Sequence, residues 1–328
     1  MAELNMLEAI RLAMDEEMER DDRVMVLGED VGKKGGVFGA TEGLWAKYGD
    51  KRVLDTPLTE GMIAGAAMGA AVYGLRPIAE MQFADFVYPA FNQIVSEISR
   101  LHYRSNGTFT APMVIRMPYG GGVHGALYHS QSNETYFTST VGLKILAPGT
   151  PADAKGLLKA AVRDPDPVMF FEHKKTYRLF KAEVPDGDTV LPIGKASVAR
   201  EGRHLSIFCY GFMRTCALEA AETLAREDGV EAEVVDLRSL RPLDLETILT
   251  SVEKTGKALV VHEANRFGGF GAEIAAEIGE RAFEHLDGPV TRLAGPEVPG
   301  VPFHHTLEDW FMLSPARIVQ AARDLAAY

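Results

Sequence analysis

Short runs of apolar, often β-branched residues alternate along the chain with segments whose apolar positions recur three and four residues apart. The first pattern predicts buried strands, and the second predicts amphipathic helices. Their alternation is typical of an α/β fold in which helices cover both faces of a mostly parallel sheet. In the first half we predict strands at residues 24–27, 77–81, 113–117, 144–147 and 168–171, and helices at 6–20, 62–73, 88–103 and 152–162.

A polar, turn-forming segment at residues 183–188 interrupts this pattern and indicates a domain boundary. A chain of 328 residues also suits two domains of roughly 100 to 200 residues each. We therefore predict two doubly wound α/β domains, at residues 1–182 and 196–328, joined by a linker at 183–195. For the second domain we predict strands at 205–210, 232–236, 258–262 and 290–293, and helices at 215–226, 245–254 and 272–282.

Composition narrows the classes of function. With 34 basic and 46 acidic residues the formal charge is −12, which argues against a nucleic-acid partner because such proteins usually present a basic face. Cys209 and Cys216 show neither CxxC spacing nor a nearby histidine cluster, so we expect buried, reduced thiols. The longest uncharged run, residues 61–75, is shorter than the ~20 residues of a membrane span. The first residues do not read as a signal or transit peptide, and we expect a cytoplasmic protein.

One acid stands at the start of an unusually apolar helix. Glu60 precedes a run of small and apolar residues without any charge until Arg76. One interpretation is helix capping, because an acid in the first turn complements the helix dipole. The other is proton exchange, because burial against such a helix would raise the pKa of a carboxyl group. The spacing alone leaves both interpretations open, and we expect this helix to pack tightly inside the protein.

A glycine-rich loop at residues 117–125 could cradle a phosphate. It carries no lysine, and it leads into the polar and aromatic residues 126–132, so we interpret it as the rim of an active site. His124 and His129 are both candidates for acid–base chemistry there, because imidazole titrates near neutral pH. A later glycine-rich turn at residues 268–271 lacks GxGxxG spacing and is predicted to be a tight strand-to-helix connection.

Seven segments together resemble the β subunit of the E1 component of 2-oxo acid dehydrogenase complexes, the thiamin-diphosphate-dependent decarboxylases. They occur in order along essentially the whole chain: LGEDV at 27–31, KGGVF at 34–38, DTPLTEG at 55–61, RPIAEMQFADF at 76–86, HGALYHSQS at 124–132, DAKGLL at 153–158 and VDLR at 235–238. The resemblance implies a pyrimidine-binding, transketolase-like domain followed by a transketolase C-terminal-like domain. The likeness is strongest to the branched-chain, 2-oxoisovalerate type; pyruvate dehydrogenase and acetoin dehydrogenase remain alternatives.

The resemblance also implies roles for single residues. Glu60 matches the glutamate that hydrogen-bonds N1′ of the aminopyrimidine and promotes loss of the thiazolium C2 proton. Leu58 would lie beside the pyrimidine through its backbone, and Gln82 and Phe86 would also bind it, Phe86 by stacking. Many relatives have tyrosine at the last position; here the aromatic face is kept, but the hydroxyl and any hydrogen bond that it makes in relatives are absent. His129 matches a histidine that assists acyl transfer to lipoamide.

Partners and metals follow from the same resemblance. Thiamin-diphosphate enzymes bind the diphosphate and Mg²⁺ through a Gly-Asp-Gly segment, which this sequence lacks. We therefore expect an α subunit that supplies those ligands, an α2β2 heterotetramer, and an E2 lipoyl acyltransferase as further partner. Some relatives bind potassium at positions that match the carbonyls of Ala111, Met113, Ala161 and Asp164 and the side chain of Asp166. A function of another class, a non-catalytic nucleotide-binding α/β subunit, stays open, whereas a single-chain transketolase-like enzyme is excluded.

Overall fold

The computed structural model describes all residues, 1–328, and divides them into two compact units. The first unit comprises Met1–Tyr119 and Tyr136–Ile193, and the second comprises Gly120–Thr135 and Gly194–Tyr328. Residues 120–135 therefore belong to the second unit by compactness, although they lie inside the stretch 1–182 that we predicted as the first domain. The predicted limits of the domains, which follow chain order, stay a prediction.

Parallel strands form the centre of the first unit, in the order β6-β7-β5-β4-β2-β3. Between residues 1 and 193 the strands are β1 Ala2–Leu4, β2 Val24–Gly28, β3 Val53–Asp55, β4 Arg76–Glu80, β5 Val114–Tyr119, β6 Lys144–Leu146, β7 Val168–His173 and β8 Ala182–Val184. The α-helices there are α1 Met6–Arg20, α2 Leu44–Tyr48, α3 Glu60–Val72, α4 Leu101–Arg104, α5 Thr135–Thr138 and α6 Pro151–Arg163. The short β1 pairs antiparallel with β8.

Local sequence explains the best-defined helices of this unit. Asn5 and Glu8 form a capping box at the start of α1, which fixes where that helix begins. Helix α6 begins after Thr150, whose side chain accepts a hydrogen bond from the Asp153 amide, with Pro151 in its first turn. Both helices contribute apolar side chains to one core that they share with the sheet.

Two expectations for this unit are wrong. The predicted helix at 88–103 is a 3₁₀ turn at Tyr88–Ala90, a π-helix at Gln93–Ile98 and the short α4. Pro89 supplies no amide hydrogen, and the Ser99 amide bonds to the carbonyl five residues back, so the α-helical register is not kept. Helix α3 is also not enclosed within its unit, because Met62 and Val72 on one face are 40% and 38% exposed.

The second unit repeats the architecture, with strand order β14-β13-β10-β11-β9. All neighbours are parallel except β9, which pairs antiparallel with β11 at the edge and was not predicted. Apolar residues of β10, β13, α7 and α11 form its core. Its strands are β9 Ser197–Arg200, β10 Leu205–Cys209, β11 Ala232–Asp236, β12 Ser239–Arg241, β13 Ala258–Asn265 and β14 Thr291–Gly295, and its helices are α7 Phe212–Asp228, α8 Leu245–Thr255, α9 Gly271–Arg281, α10 His305–Phe311 and α11 Pro315–Ala326. The prediction of two doubly wound α/β sheets is confirmed.

Candidate active site and relatives

The carboxyl ends of three neighbouring strands of the first unit lie side by side. Gly28 at the end of β2 is in register with Asp55 at the end of β3 and with Glu80 at the end of β4. In doubly wound sheets, ligands bind beyond this edge. The segments that carry Glu60 and Gln82 leave the sheet here, so the tertiary structure brings together the first, third and fourth of the matching motifs.

The loop after β2 and the segment after β3 are tied to each other. The Gly32 amide donates to Asp55 Oδ1 at 2.6 Å, and the Thr56 amide donates to the Gly28 carbonyl at 2.9 Å. A Cβ atom at Gly28 would stand 2.8 Å from the Glu80 carbonyl oxygen at a φ of +159°, so only glycine allows this approach. These contacts fix the backbone on both sides of the segment that leads to Glu60.

Glu60 is the first residue of α3, and only 6% of its surface is exposed. Its carboxylate has neither a hydrogen bond nor an ion pair within the protein, and Thr59 at the N-cap makes no side-chain capping bond. A carboxylate held this way beside the helix N-terminus gains from the dipole but caps no backbone amide through its side chain. It is therefore available to a ligand at the edge of the sheet.

A second acid, Glu29, lies beside Glu60 and was not singled out from the sequence. Burial raises the pKa of Glu29, and the negative charges of Glu60 and Asp30 raise it further. The backbone carbonyl of Glu29 faces the side-chain amide of Gln82 at 3.5 Å. Glu29 thus links two of the predicted site residues, and its position after a buried strand was the available signal.

The other two predicted pyrimidine contacts flank these acids. Leu58, two residues before Glu60, is 79% exposed, an unusual position for an aliphatic side chain next to a buried acid. The Phe86 ring packs edge-on against Phe83, with ring centroids 5.2 Å apart. The first unit therefore places a buried carboxylate and a side-chain amide at the carboxyl edge of the sheet, with Leu58 and Phe86 close to them along the chain.

A buried ionic network supports the same end of the sheet. Arg116 on β5 donates to Glu80 Oε2 at 2.8 Å and to both carboxylate oxygens of Glu172 on β7, at 2.6 and 2.8 Å. The Tyr177 hydroxyl donates to Glu172 at 2.7 Å. Burial raises the pKa of Glu80, and the positive charge of Arg116 opposes this shift. Burial alone would lower the pKa of Arg116, but the negative charges of Glu172 and Glu80 outweigh it and raise that pKa. The network ties β4, β5 and β7 together directly beneath the segment with Gln82.

His129 belongs to the second unit, in the glycine-rich loop at residues 120–135. The backbone amides that could have cradled a phosphate are already used: Gly121 donates to Glu263, and Gly122 and His124 donate to Glu308. The His124 ring contacts the Glu308 carboxylate as well. This arrangement disfavours phosphate binding by the loop and occupies His124, whereas His129 is partly buried in the same loop.

Two further buried titratable groups lie in the second unit. The Tyr210 hydroxyl donates to Glu134 Oε1 at 2.6 Å; burial raises the pKa of Glu134 to about 7, although this hydrogen bond opposes the shift. His262 stacks on Tyr210 with the ring planes 7° apart, and burial, with the charge of Arg292, lowers its pKa to about 4. Neither residue was recognised from the sequence.

The residues of the predicted potassium site lie in the first unit. The carbonyls of Ala111, Met113 and Ala161 each accept one backbone hydrogen bond, and the Asp164 carbonyl accepts one from Arg76 at 3.3 Å. The Lys144 ammonium stands 2.6 Å from Asp164 Oδ1 and 3.7 Å from Asp166 Oδ2. Asp166 also contacts His102 Nδ1 at 2.7 Å. The positive charges of Arg76 and Lys144 thus compete with a bound cation for these oxygens.

The structure is free of two features, a membrane-spanning helix and a cluster of metal-binding side chains. No helix of the structure has the length and apolar character needed to cross a bilayer. Histidine, cysteine, aspartate and glutamate side chains form no cluster of three or more that could hold a metal ion.

Comparisons with known proteins agree with the geometry. The family "Transketolase, pyrimidine binding domain" matches residues 2–179, and "Transketolase, C-terminal domain" matches residues 194–318. The chain is 57% identical over 328 residues to a 2-oxoisovalerate dehydrogenase subunit beta of Bacillus subtilis (strain 168), with 100% of both chains covered. It is 48% identical over 310 residues to the pyruvate dehydrogenase E1 component subunit beta of the same organism, covering 94% of this chain and 95% of the relative.

A solved structure gives the same result. A split-gene transketolase, described as an inactive β4 tetramer, superposes with a TM-score of 0.80 at 25% identity and covers 99% of both chains. The two family matches, the full-length relatives and this fold together confirm the resemblance drawn from the motifs. The chain belongs to the family of β subunits of the E1 component of 2-oxo acid dehydrogenases, built from a transketolase pyrimidine-binding domain and a transketolase C-terminal domain.

Proposed function

We propose that this chain provides the aminopyrimidine-binding half of a thiamin-diphosphate-dependent dehydrogenase for branched-chain 2-oxo acids, which decarboxylates the substrate and passes the acyl group to the lipoamide of an E2 partner. The observation that carries the proposal is Glu60, a buried carboxylate without a partner at the carboxyl edge of the sheet. The family supports thiamin diphosphate as cofactor, and the 57% identity to a 2-oxoisovalerate dehydrogenase subunit supports the branched-chain substrate.

Each predicted pyrimidine contact of the first unit has its own role in this proposal. Glu60 would exchange a proton with N1′ of the ring. N1′ would then be the hydrogen-bond partner that the buried carboxylate lacks within the protein. Gln82 would offer its side-chain amide, Leu58 its backbone beside the ring, and Phe86 an aromatic face for stacking. Bound there, the cofactor would supply a carbon nucleophile for the 2-oxo group and an electron sink for the decarboxylation.

The diphosphate and Mg²⁺ would be held by an α subunit. Magnesium prefers oxygen ligands together with substrate phosphates, and the Gly-Asp-Gly segment that provides them in relatives is absent from this sequence. The split-gene transketolase is inactive as a β4 tetramer, which supports the view that such a chain needs another polypeptide for activity. We therefore propose an α2β2 complex that engages an E2 acyltransferase.

His129 would act in the second half-reaction, as an acid or as a stabiliser of developing charge when the acyl group passes to lipoamide. Its support is the family position and its partly buried place in the loop at residues 120–135. His124 is less suited, because its ring is engaged by Glu308.

The decisive experiment uses the chain purified with its native α subunit, thiamin diphosphate and Mg²⁺. We expect the Glu60→Gln complex to lose about 10²- to 10⁴-fold in decarboxylation of 3-methyl-2-oxobutanoate, because general acid–base catalysis contributes about that factor. A suitable control is Glu42→Gln, which removes an exposed acid of the same unit that pairs with Arg11. Unchanged activity in an assembled Glu60→Gln complex would contradict the proposed role of Glu60.

The same preparation tests the substrate. We expect the wild-type complex to turn over 3-methyl-2-oxobutanoate faster than pyruvate or acetoin. Preference for pyruvate would instead place the enzyme with the second relative, the pyruvate dehydrogenase component. The difference rests on a few methylene groups, which change selectivity by about 1–3 kcal/mol in an apolar pocket.

We also propose that potassium binds in the first unit. Its ligands would be the carbonyls of Ala111, Met113, Ala161 and Asp164 and the side chain of Asp166. Each carbonyl keeps a second lone pair beyond the hydrogen bond that it accepts. Replacing sodium by potassium at equal ionic strength should then raise the melting temperature of the complex. An unchanged melting temperature would count against the site and would fit competition by the positive charges of Arg76 and Lys144 for the same oxygens.

A further inference from the structure

The loop with His129 is attached to the second unit by carboxylates rather than by apolar packing alone. Glu263, at the end of β13, accepts hydrogen bonds on Oε1 from the Gly121 amide at 2.7 Å and from the Ser132 hydroxyl at 2.8 Å. One carboxylate oxygen therefore joins the first and the last part of the loop. The Gly120 amide, which donates to the Gln131 carbonyl at 3.0 Å, closes the loop at the same point.

A second carboxylate holds the turn that precedes His129. Glu308 on α10 accepts from the Gly122 amide at 2.9 Å and from the His124 amide at 3.2 Å, both on Oε1, and its other oxygen contacts the His124 ring. Glu308 is 1% exposed and Glu263 is 5% exposed. Hydrogen bonds from backbone amides to a desolvated carboxylate are about twice as strong as neutral ones, so both acids bind the loop firmly.

The loop needs such restraint because its backbone is unfavourable. His124 and Ala126 have positive φ angles of 59° and 56° although they are not glycines. Gly125 packs closely against His129. A Cβ added at Gly125 would lie 2.8 Å from the His129 carbonyl oxygen and 2.9 Å from His129 Cβ. The conformation held by Glu308 is therefore transmitted directly to the backbone of His129.

We propose that Glu263 and Glu308 are positioning residues for His129: they fix the loop at residues 120–135 through its backbone amides and thereby set the place of the imidazole in acyl transfer. The proposal rests on the proposed function of His129. Both acids act through the loop. Neither was visible in the sequence as part of the site, since Glu263 is 131 residues from Ser132 and Glu308 is 184 residues from His124.

The test compares acyl transfer with decarboxylation in the assembled α–β complex. Acyl transfer is followed with a lipoyl domain as acceptor, and decarboxylation with an artificial electron acceptor. We expect Glu308→Leu to slow acyl transfer by about 10- to 100-fold, because small displacements of a catalytic group cost about that much. The fold-decrease in the decarboxylation rate should be at least about ten times smaller than the fold-decrease in the acyl-transfer rate. Glu308→Gln keeps an oxygen that can accept both amides and should recover most of the loss.

Two variants keep the test informative if Glu308→Leu does not assemble. Ser132→Ala removes only the hydroxyl bond to Glu263 and should slow acyl transfer by about tenfold, the lower end of what is expected for the loss of one hydrogen bond to a charged group. Glu233→Gln is the matched control, since Glu233 is an equally buried acid of the second unit that bonds Ser251 and Lys254. It should lower stability without separating the two rates.

A physical readout accompanies the kinetics. Hydrogen exchange of the peptide that contains Gly121, Gly122 and His124 should become faster in Glu308→Leu and remain at the wild-type rate in Glu233→Gln. His129→Gln, measured in parallel, separates the two proposals. If His129→Gln transfers acyl groups normally, the proposed function of His129 fails. If His129→Gln is impaired but Glu308→Leu and Ser132→Ala match the wild type, the positioning role is refuted.

Discussion

Glu134 allows a quantitative prediction about the stability of the second unit. Its carboxyl group is fully buried, and the Tyr210 hydroxyl donates to it at 2.6 Å. Burial raises its pKa from the usual 4.5 to about 7, the Tyr210 hydrogen bond opposes the shift, and the charge of Glu263 adds to it. The folded protein therefore binds a proton at Glu134 in a pH range where the unfolded chain has released it.

The sign and size of the effect follow from linkage. A group whose pKa is raised by folding stabilises the protein fully below pH 4.5, and this stability is lost as the pH rises through about 7. At ~1.36 kcal/mol per unit of pKa, the loss is about 3 kcal/mol. Glutamine has nearly the same shape and stays neutral, and its amide oxygen can still accept from Tyr210. We expect Glu134→Gln to be about 3 kcal/mol more stable than the wild type at pH 8 and equally stable near pH 4.5.

His262 has the opposite effect in the same unit. Burial and Arg292 lower its pKa from 6.5 to about 4, so the stability that it provides is present above pH 6.5 and is lost as the pH falls through 4. This loss is again about 3 kcal/mol. In the wild type the two groups nearly cancel between pH 4.5 and 6.5. In Glu134→Gln only the His262 effect remains, so we expect a variant that is stable at pH 8 and loses about 3 kcal/mol on acidification.

The two tryptophans make this measurable. Trp45 lies on α2 of the first unit and Trp310 on α10 of the second. In a Trp45→Phe background, urea unfolding followed by fluorescence reports on the second unit alone. We would measure the free energy of unfolding from pH 4.5 to 8.5 for the wild type and for Glu134→Gln.

A control works in the reverse direction. Tyr210→Phe removes the hydrogen bond that favours the ionised form of Glu134, so the pKa should rise further and the variant should lose more stability at pH 8 than at pH 5. The reasoning is refuted if the wild type and Glu134→Gln give parallel curves, because the pH dependence would then arise from other groups.

Three further predictions concern other buried features. Arg116→Met should cost about 3–5 kcal/mol by urea unfolding observed at Trp45, because Glu80 and Glu172 lose their counter-charge. Burial raises the pKa of Glu80, so the cost should shrink as the pH is lowered, and a constant cost would contradict this cause. Gly142→Ala should destabilise the first unit by more than about 2 kcal/mol, because the φ of Gly142 is +99° and the new Cβ would stand 2.0 Å from the Ser99 carbonyl oxygen. The control Gly74→Ala, where the added Cβ would meet open space, should cost less. The thiols of Cys209 and Cys216 should not react with an aromatic disulfide reagent before unfolding, because both are buried and burial raises the pKa of Cys209; rapid labelling of the native protein would disprove this.

Hydrophobic periodicity was sufficient for most elements of both sheets. Helix α1 and strand β11 have the predicted bounds, and the other central strands agree within a few residues, because parallel buried strands are continuous apolar runs. Short edge strands such as β1, β8 and β9 were missed, since each depends on a partner far along the chain. The helix at 88–103 failed for a related reason, because the π-helical register leaves no mark in the apolar pattern.

The sequence by itself determined the family and the identity of the pyrimidine-site candidates, because the motif around Glu60, Gln82 and Phe86 is local and follows strand ends. Tertiary structure alone decided the rest. It joined residues 120–135 to the second unit through Glu263 and Glu308, and it buried Glu134 deeply enough to move its pKa. Desolvation and hydrogen bonds across more than 100 residues depend on how distant segments pack, and no local pattern carries that information.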